Sequence, residues 1–350
     1  MKNNHKCTCS IVPPYIMDQF KDEFKNTIET TQAIVKARKD ISMQIMGPSL
    51  GTGPLGKADR IIYDSQNTSK DSFRKIREEG DPPSSDKAAN SVYDNAGFVR
   101  DFYKNTFNYF SVDNRGKDLC MNIHFQEDFN NALWSSASDA MFFGDGDGQT
   151  LINLTGAIDV IGHEMTHGVI EYTAGLIYQG QSGALNEHLA DVFGTMIKQK
   201  FKGENAWNAD WLIGDTVVGP KFQPQTGFQS VSLRSLAYPG CAYLGDFQPA
   251  NMDRYFTGSD DNFGVHINSG ILNKVFYLVS TGQGMGIPGM DTTPAGQLWF
   301  NSLKAISTDT CDFNGFKNLV IKNAEKQVLE KSLQEGTVEL VGKAFSSVGL

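Results

Sequence analysis

The chain has 350 residues, of which 40% are apolar and 11% aromatic, enough for one large domain or two smaller ones. Its formal net charge is −9 with no dense Lys/Arg cluster, which argues against nucleic acid as a partner. No stretch approaches 18 uninterrupted apolar residues, so no membrane span is expected.

The first twenty residues lack the apolar core of an ordinary signal peptide, because Pro13-Pro14 and Asp18 interrupt it. A soluble protein is expected, either intracellular or secreted by a non-classical route. The five cysteines are few and scattered, and no disulfide framework is implied. Residues 1–50 read as a separate unit, with seven Lys/Arg against five Asp/Glu. Cys9 to Met17 reads as extended and apolar, with Pro13-Pro14 favouring polyproline II. A helical pattern follows over Met17–Ser42, and the Gly/Pro-rich run Gly47–Gly56 is the best linker.

Beyond it, Arg60–Asp64 has the character of a strand, and apolar spacing predicts a helix over Lys87–Phe107. Strands are expected at Leu119–Phe125, near Asn130–Trp134 and at Ala140–Phe143. Gly144–Gly148 reads as a turn. It is not an EF-hand loop, because Thr150 and Gly156 stand where Gly and Glu are needed. Helices are expected over Ala157–Thr173, Ala184–Gln199, Ile267–Ser280, Pro294–Ile306 and Cys311–Leu329. The fold class is therefore α+β with two lobes. A strand-rich lobe spans 51–173 and a mainly helical one 174–350, with the helix 157–173 at a cleft between them.

That helix contains His163-Glu164-Met165-Thr166-His167. Histidines at i and i+4 share one helix face and reach one metal ion, while Ile158, Ile161, Met165, Val169 and Tyr172 form an apolar stripe elsewhere. Catalytic zinc needs three protein ligands and an open fourth position. Thr173 stands where a metzincin has its third histidine, which excludes that class. Glu187 on the next helix is the best third ligand. Asp191, one turn on, is placed to accept the free ring N–H of His163. Glu164 is then the general base on the attacking water. His188 points about 100° away from Glu187 and is not expected to be a ligand. His124 reads as structural.

With these residues in view, the chain resembles the thermolysin-like neutral zinc metallopeptidases from about Arg60 to its end. Further segments match the family's motifs. The resemblance implies that Asn131, by its side chain, and Ala132, by its carbonyl, contact extended substrate. It implies that Tyr178 and His266, the latter oriented by Asp261, stabilise the oxyanion, and that Arg234 binds a substrate carbonyl. Leu151, Leu154, Val160 and Leu233 would line the pocket for the residue after the scissile bond, so cleavage before large hydrophobic residues is expected. Asp159, Asp210 and Asp215 match part of the family's calcium cluster. Lys198 and Leu212 replace two acidic ligands there, so at most one calcium is expected at the family's double site.

Residues 1–50 resemble the short propeptide of protealysin-type members through Pro13-Pro14-Tyr15. The implied protein is a monomeric zinc endopeptidase made as a zymogen. Its own propeptide would act as an intramolecular inhibitor until cleavage within Gln44–Lys57, and Cys7 or Cys9 is a candidate thiolate for the zinc. The competing readings are a zinc aminopeptidase with the same ligands and an inactive peptide-binding relative.

Overall fold

The computed structural model describes residues 8–31 and 57–350, which form two compact units. The helical pattern beyond residue 31, the linker at 47–56, Cys7 and nearly all of the expected cleavage region lie outside the described residues.

The first unit comprises the described residues up to Tyr172 and the excursion Thr216–Phe222. It is built on a six-stranded mixed sheet of β1 (Thr8–Ser10), β2 (Arg60–Thr68), β3 (Arg74–Glu78), β4 (Leu119–Phe125), β5 (Ala132–Ser135) and β6 (Ala140–Phe143). Their spatial order is β1-β5-β6-β4-β2-β3. β2, β4 and β6 run parallel, while β1, β5 and β3 pair antiparallel to their neighbours. Strands 4 to 6 carry runs such as Met121, Ile123, Leu133, Trp134 and Met141, all buried, as strands covered on both faces require.

Helix α1 (Pro14–Gln19) begins where an extended polyproline stretch was expected. Pro13 is indeed extended at φ −75°, ψ 157°, but Pro14 sits at the first helical position, where its fixed φ and missing N–H cost nothing. Helix resumes at residues 25–31 after a turn, so the one long helix expected from Met17 is broken in two. Cys9, a candidate thiolate for the zinc, is disulfide-bonded and so offers none.

Helix α2 (Lys87–Phe107) falls where its periodicity places it. Asp86 caps it, accepting from Ala88 N at 2.8 Å and Ala89 N at 3.1 Å. Asp86 also meets His124 Nε2 at 2.9 Å, and His124 Nδ1 meets Asp145 at 2.8 Å. This aspartate–histidine–aspartate bridge pins the start of α2 and the 144–148 turn to β4. The bond to Asp145, opposed by burial and aided by Asp86, holds the His124 pKa up at about 9 against an ordinary 6.5. A raised folded-state value stabilises fully below about pH 6.5, and the gain is lost as pH rises through about 9. Chemical denaturation at pH 6.5 and pH 9.5 should therefore show a loss of up to about 3 kcal/mol that His124→Phe abolishes.

Helix α3 (Ile158–Thr173) carries the paired histidines and is buried over most of its length. Gly168 lets it lie against the sheet, because a Cβ there would come within 3.0 Å of the Trp134 ring and 2.9 Å of Val112. Trp134 Nε1 then donates to Glu171 at 2.9 Å, fastening the helix to β5. Tyr103 and Thr166 hydroxyls, 2.6 Å apart, tie it to α2.

The second unit, Thr173–Asp215 with Gln223–Leu350, is mainly helical. It contains α4 (Gly180–Lys202), a two-stranded ribbon of β7 (Leu212–Ile213) and β8 (Arg234–Ser235), then α5 (Asp260–Thr281), α6 (Thr292–Ala305), α7 (Phe313–Leu329) and α8 (Thr337–Ser347). Its core is aromatic, with Trp299 packed on Phe276, Phe316 and Phe345 at ring-centre distances of 5.2–6.4 Å. Among the described residues, no helix is long and apolar enough to cross a membrane.

Candidate metal centre

His163 and His167 project from the same face of α3 with their Nε2 atoms 3.0 Å apart. Two nitrogens at 2.0–2.1 Å from one tetrahedral ion would be separated by about 3.3 Å, so the pair is already convergent. Both rings are buried. Among the described residues, His163, His167 and Glu187 form the one group fit to hold a metal ion, with ligand atoms within 4.8 Å of one another. Two imidazoles and a carboxylate are a donor set that suits zinc. Glu164, between the histidines, is wholly buried.

In the second unit, Tyr178 donates a short hydrogen bond to Glu187 and lies 3.1 Å from His266 Nε2. His266 Nδ1 meets Asp261 Oδ1 at 2.6 Å. The sequence Asp261-Asn262-Phe263-Gly264 makes this possible by an unexpected route, since all four residues are left-handed, with φ of 50–78°. Such a conformation costs roughly 1–2 kcal/mol for each non-glycine residue. Asp261 Oδ2 offsets it by accepting from the backbone N–H groups of His266 at 2.8 Å and Ile267 at 3.2 Å, which caps the helix that follows. Burial pushes the His266 pKa down, but the Glu187 and Asp261 carboxylates outweigh it and bring the value up to about 9. A raised value favours the charged form of the ring, which donates from both nitrogens.

Arg234 was expected to meet a substrate carbonyl. It is wholly buried and forms a forked pair with Asp191, Nε at 2.9 Å and Nη2 at 2.8 Å. Asn273 Nδ2 adds a third donor to Asp191 at 2.9 Å. His188 is buried, and desolvation depresses its pKa to about 4. Its ring contacts Asn273 and Trp299 rather than any carboxylate. Leu151, Leu154, Val160 and Leu233 are all fully buried.

Asn131 and Ala132 stand at the start of β5 and already have partners. Val12 N donates to Asn131 Oδ1 at 3.0 Å, and Ile11 N donates to the Ala132 carbonyl at 3.1 Å. Beyond β1 the same segment is anchored again. Thr27 Oγ1 accepts from Asn130 N at 2.8 Å, Phe20 packs on Phe222 at 5.0 Å, and Glu23 pairs with Lys221.

Of the calcium candidates, Asp159 is buried, and Asp210 and Asp215 are engaged by Lys198. The ammonium lies 3.0 Å from Asp210 Oδ1, 2.5 Å from Asp215 Oδ1 and 3.0 Å from the Leu212 carbonyl. Three oxygens around one buried cation leave a divalent ion no room at these two carboxylates. Lys198→Glu should therefore acquire a calcium-dependent rise in melting temperature beyond any seen in the zinc-loaded wild type, read by scanning calorimetry.

The family models for the thermolysin metallopeptidase catalytic domain and alpha-helical domain match residues 24–171 and 174–350. The chain belongs to the thermolysin family of metallopeptidases. It is therefore a zinc metalloendopeptidase by family, a hydrolase, and the histidine–histidine–glutamate group described above fits a zinc site. An extracellular metalloprotease of Pectobacterium carotovorum subsp. carotovorum is 35% identical over 98% of this chain and 96% of its own. Thermolysin of Alicyclobacillus acidocaldarius subsp. acidocaldarius is 37% identical over 76% of this chain and 46% of its own. Among solved structures, the precursor of protealysin from Serratia proteamaculans aligns with TM-score 0.78 and 33% identity, covering 97% of this chain and 99% of that one. This thermolysin-family chain matches that precursor along almost its whole length, including its N-terminal segment.

Proposed function

We propose that the protein is an endopeptidase made as a zymogen, whose N-terminal segment occupies the substrate strand until it is removed. The observation that carries this reading is the antiparallel pairing of Thr8–Ser10 with β5, continued by the bonds of Ile11 and Val12 to Ala132 and Asn131. These are main-chain contacts to a peptide that extends in both directions. A site that grips extended backbone in this way needs no free α-amine, which favours an endopeptidase over an aminopeptidase. The protealysin precursor alignment supports the propeptide part of the reading. The name of the Pectobacterium relative supports work outside the cell.

His163, His167 and Glu187 would hold the zinc, with Asp191 orienting a histidine ligand. When bound, the ion polarises the scissile carbonyl and makes water a better nucleophile at neutral pH. Glu164 takes the proton from the attacking water and passes it to the leaving amine. His266 and Tyr178 donate hydrogen bonds to the developing oxyanion, and Asp261 keeps the His266 ring aimed and charged. Arg234, anchored on Asp191, keeps donor capacity for a substrate carbonyl. Leu154, Val160 and Leu233 favour a large hydrophobic residue after the scissile bond.

The test is a peptide blocked at both ends with a single internal Leu or Phe, given to protein lacking residues 1–50. Mass spectrometry should find one cut, on the N-terminal side of that residue. Trimming confined to peptides with free N-termini would select the aminopeptidase, and binding without any cut would select the inactive relative.

A further inference from the structure

The second unit contains a chain of buried polar side chains that ends on Asp191 and whose other members have no part in the proposed reaction. Trp299 Nε1 is 2.8 Å from His188 Nε2, His188 Nδ1 is 2.8 Å from Asn273 Oδ1, and Asn273 Nδ2 is 2.9 Å from Asp191 Oδ2. His188, Asn273, Asp191 and Trp299 are each 0% exposed. The direction of every bond follows from one end. An indole N–H only donates, so His188 Nε2 must be the acceptor and the ring proton sits on Nδ1. That proton fixes Asn273 Oδ1 toward the histidine and therefore turns its NH₂ group toward Asp191. Without it, the amide could turn and present an oxygen to a buried carboxylate. Asp191 is also forked by Arg234, so its carboxylate is held by donors from β8 and α5 together.

The placement is specific. His188 follows Glu187 directly on α4, and about 100° of helix rotation sends one side chain to the metal and the next to the relay. Asn273 lies two turns after His266 on α5, so the same two helices are joined at the oxyanion donor and again at Asp191. The ring also lies edge-on to Trp299 and Phe316 at 6.4 and 6.2 Å, and an apolar side chain at 188 would remove the His188 partner of both Trp299 Nε1 and Asn273 Oδ1. Burying an imidazole with both nitrogens bonded has a use only if its direction matters.

We infer that His188 is a positioning residue for the metal centre, transmitting the Trp299 donor through Asn273 to set the orientation of Asp191. The inference rests on the proposed role of Asp191 toward a zinc-ligating histidine. Its consequence is a slower release of the ion, since partners of this kind are typically worth 10- to 100-fold in metal affinity.

The experiment measures transfer of zinc from the loaded full-length chain to a chromophoric chelator, with the melting temperature of the metal-free protein as the control for folding. His188→Leu should release zinc roughly 10- to 100-fold faster than wild type. His188→Asn, which keeps a donor near the Nδ1 position, should fall nearer wild type. Trp299→Phe, which removes only the N–H donor and keeps an aromatic ring, should also speed release and serves if the leucine variant does not fold. Wild-type release rates in both His188→Leu and Trp299→Phe, with only the melting temperature lowered, would overturn the relay and leave the zinc reading standing. A wild-type protein that takes up no zinc would overturn both.

Discussion

Glu164→Gln should keep one zinc ion per chain and lose turnover by about 10²–10⁴-fold, the range for a positioned general base. The substitution is isosteric and the site wholly buried, so packing around α3 is conserved while the proton acceptor is removed. KM should change little, because the carboxylate acts on the attacking water rather than on ground-state substrate. The paired measurement is metal content and kcat on the same preparation. Retained zinc with retained turnover would reassign the base, whereas lost zinc would make Glu164 part of the ligand set.

Removal of residues 1–50 should raise kcat/KM toward a blocked peptide by roughly a hundredfold or more, since the closed state is favoured by several kcal/mol. The segment buries Ile11, Val12, Ile16, Met17 and Phe24 to 5% exposure or less. At about 1.5–3 kcal/mol for each fully buried large side chain, the gross gain is on the order of 10 kcal/mol before ordering costs. The contacts to Asn131 and Ala132 then place that stabilisation on the atoms a substrate would need. A variant with Ile11→Asp and Phe24→Asp should be partly active without any cleavage, which separates occlusion from processing. Equal activity in the full-length and shortened proteins would refute the zymogen.

The parts of this architecture legible from sequence are those written in local periodicity. Helix α2 is legible to its terminal residues because Val92, Ala96, Val99 and Tyr103 repeat at helical spacing. Strand β6 was read from Ala140 to Phe143 because a short apolar run ends in a glycine-rich turn. The paired histidines converge because i and i+4 on a helix leave them little choice. Strand β3 was not visible, because Arg74-Lys-Ile-Arg-Glu78 has one apolar residue and is a strand only through its pairing with β2. Helix α1 escaped notice because two prolines read as extended, although the second pre-forms a helix start. Helix α8 goes unread although Leu340, Val341, Ala344 and Phe345 form its buried side, because its 11 residues give few repeats to read.

The site's remaining chemistry depends on partners far apart in the chain. His188 meets Asn273 across 85 residues, and Trp299 across 111. No spacing rule links them, so His188 could be set aside as a ligand but not given its partners. Arg234 was assigned a substrate contact from resemblance, while its forked pair with buried Asp191 is a property of the fold. Lys198 is the converse case. A lysine among aspartates signalled a missing cation before its ammonium was seen on Asp210 and Asp215.

The central claim is that His163, His167 and Glu187 hold the one zinc ion on which cleavage depends. Metal analysis of the protein lacking residues 1–50, coupled to cleavage of a doubly blocked peptide, addresses it most directly. The wild type should carry one zinc per chain, lose cleavage with 1,10-phenanthroline and regain it on adding zinc, while His163→Ala and Glu187→Ala carry none and do not cleave. Cleavage by metal-free protein, or zinc held as firmly by Glu187→Ala as by the wild type, would contradict it.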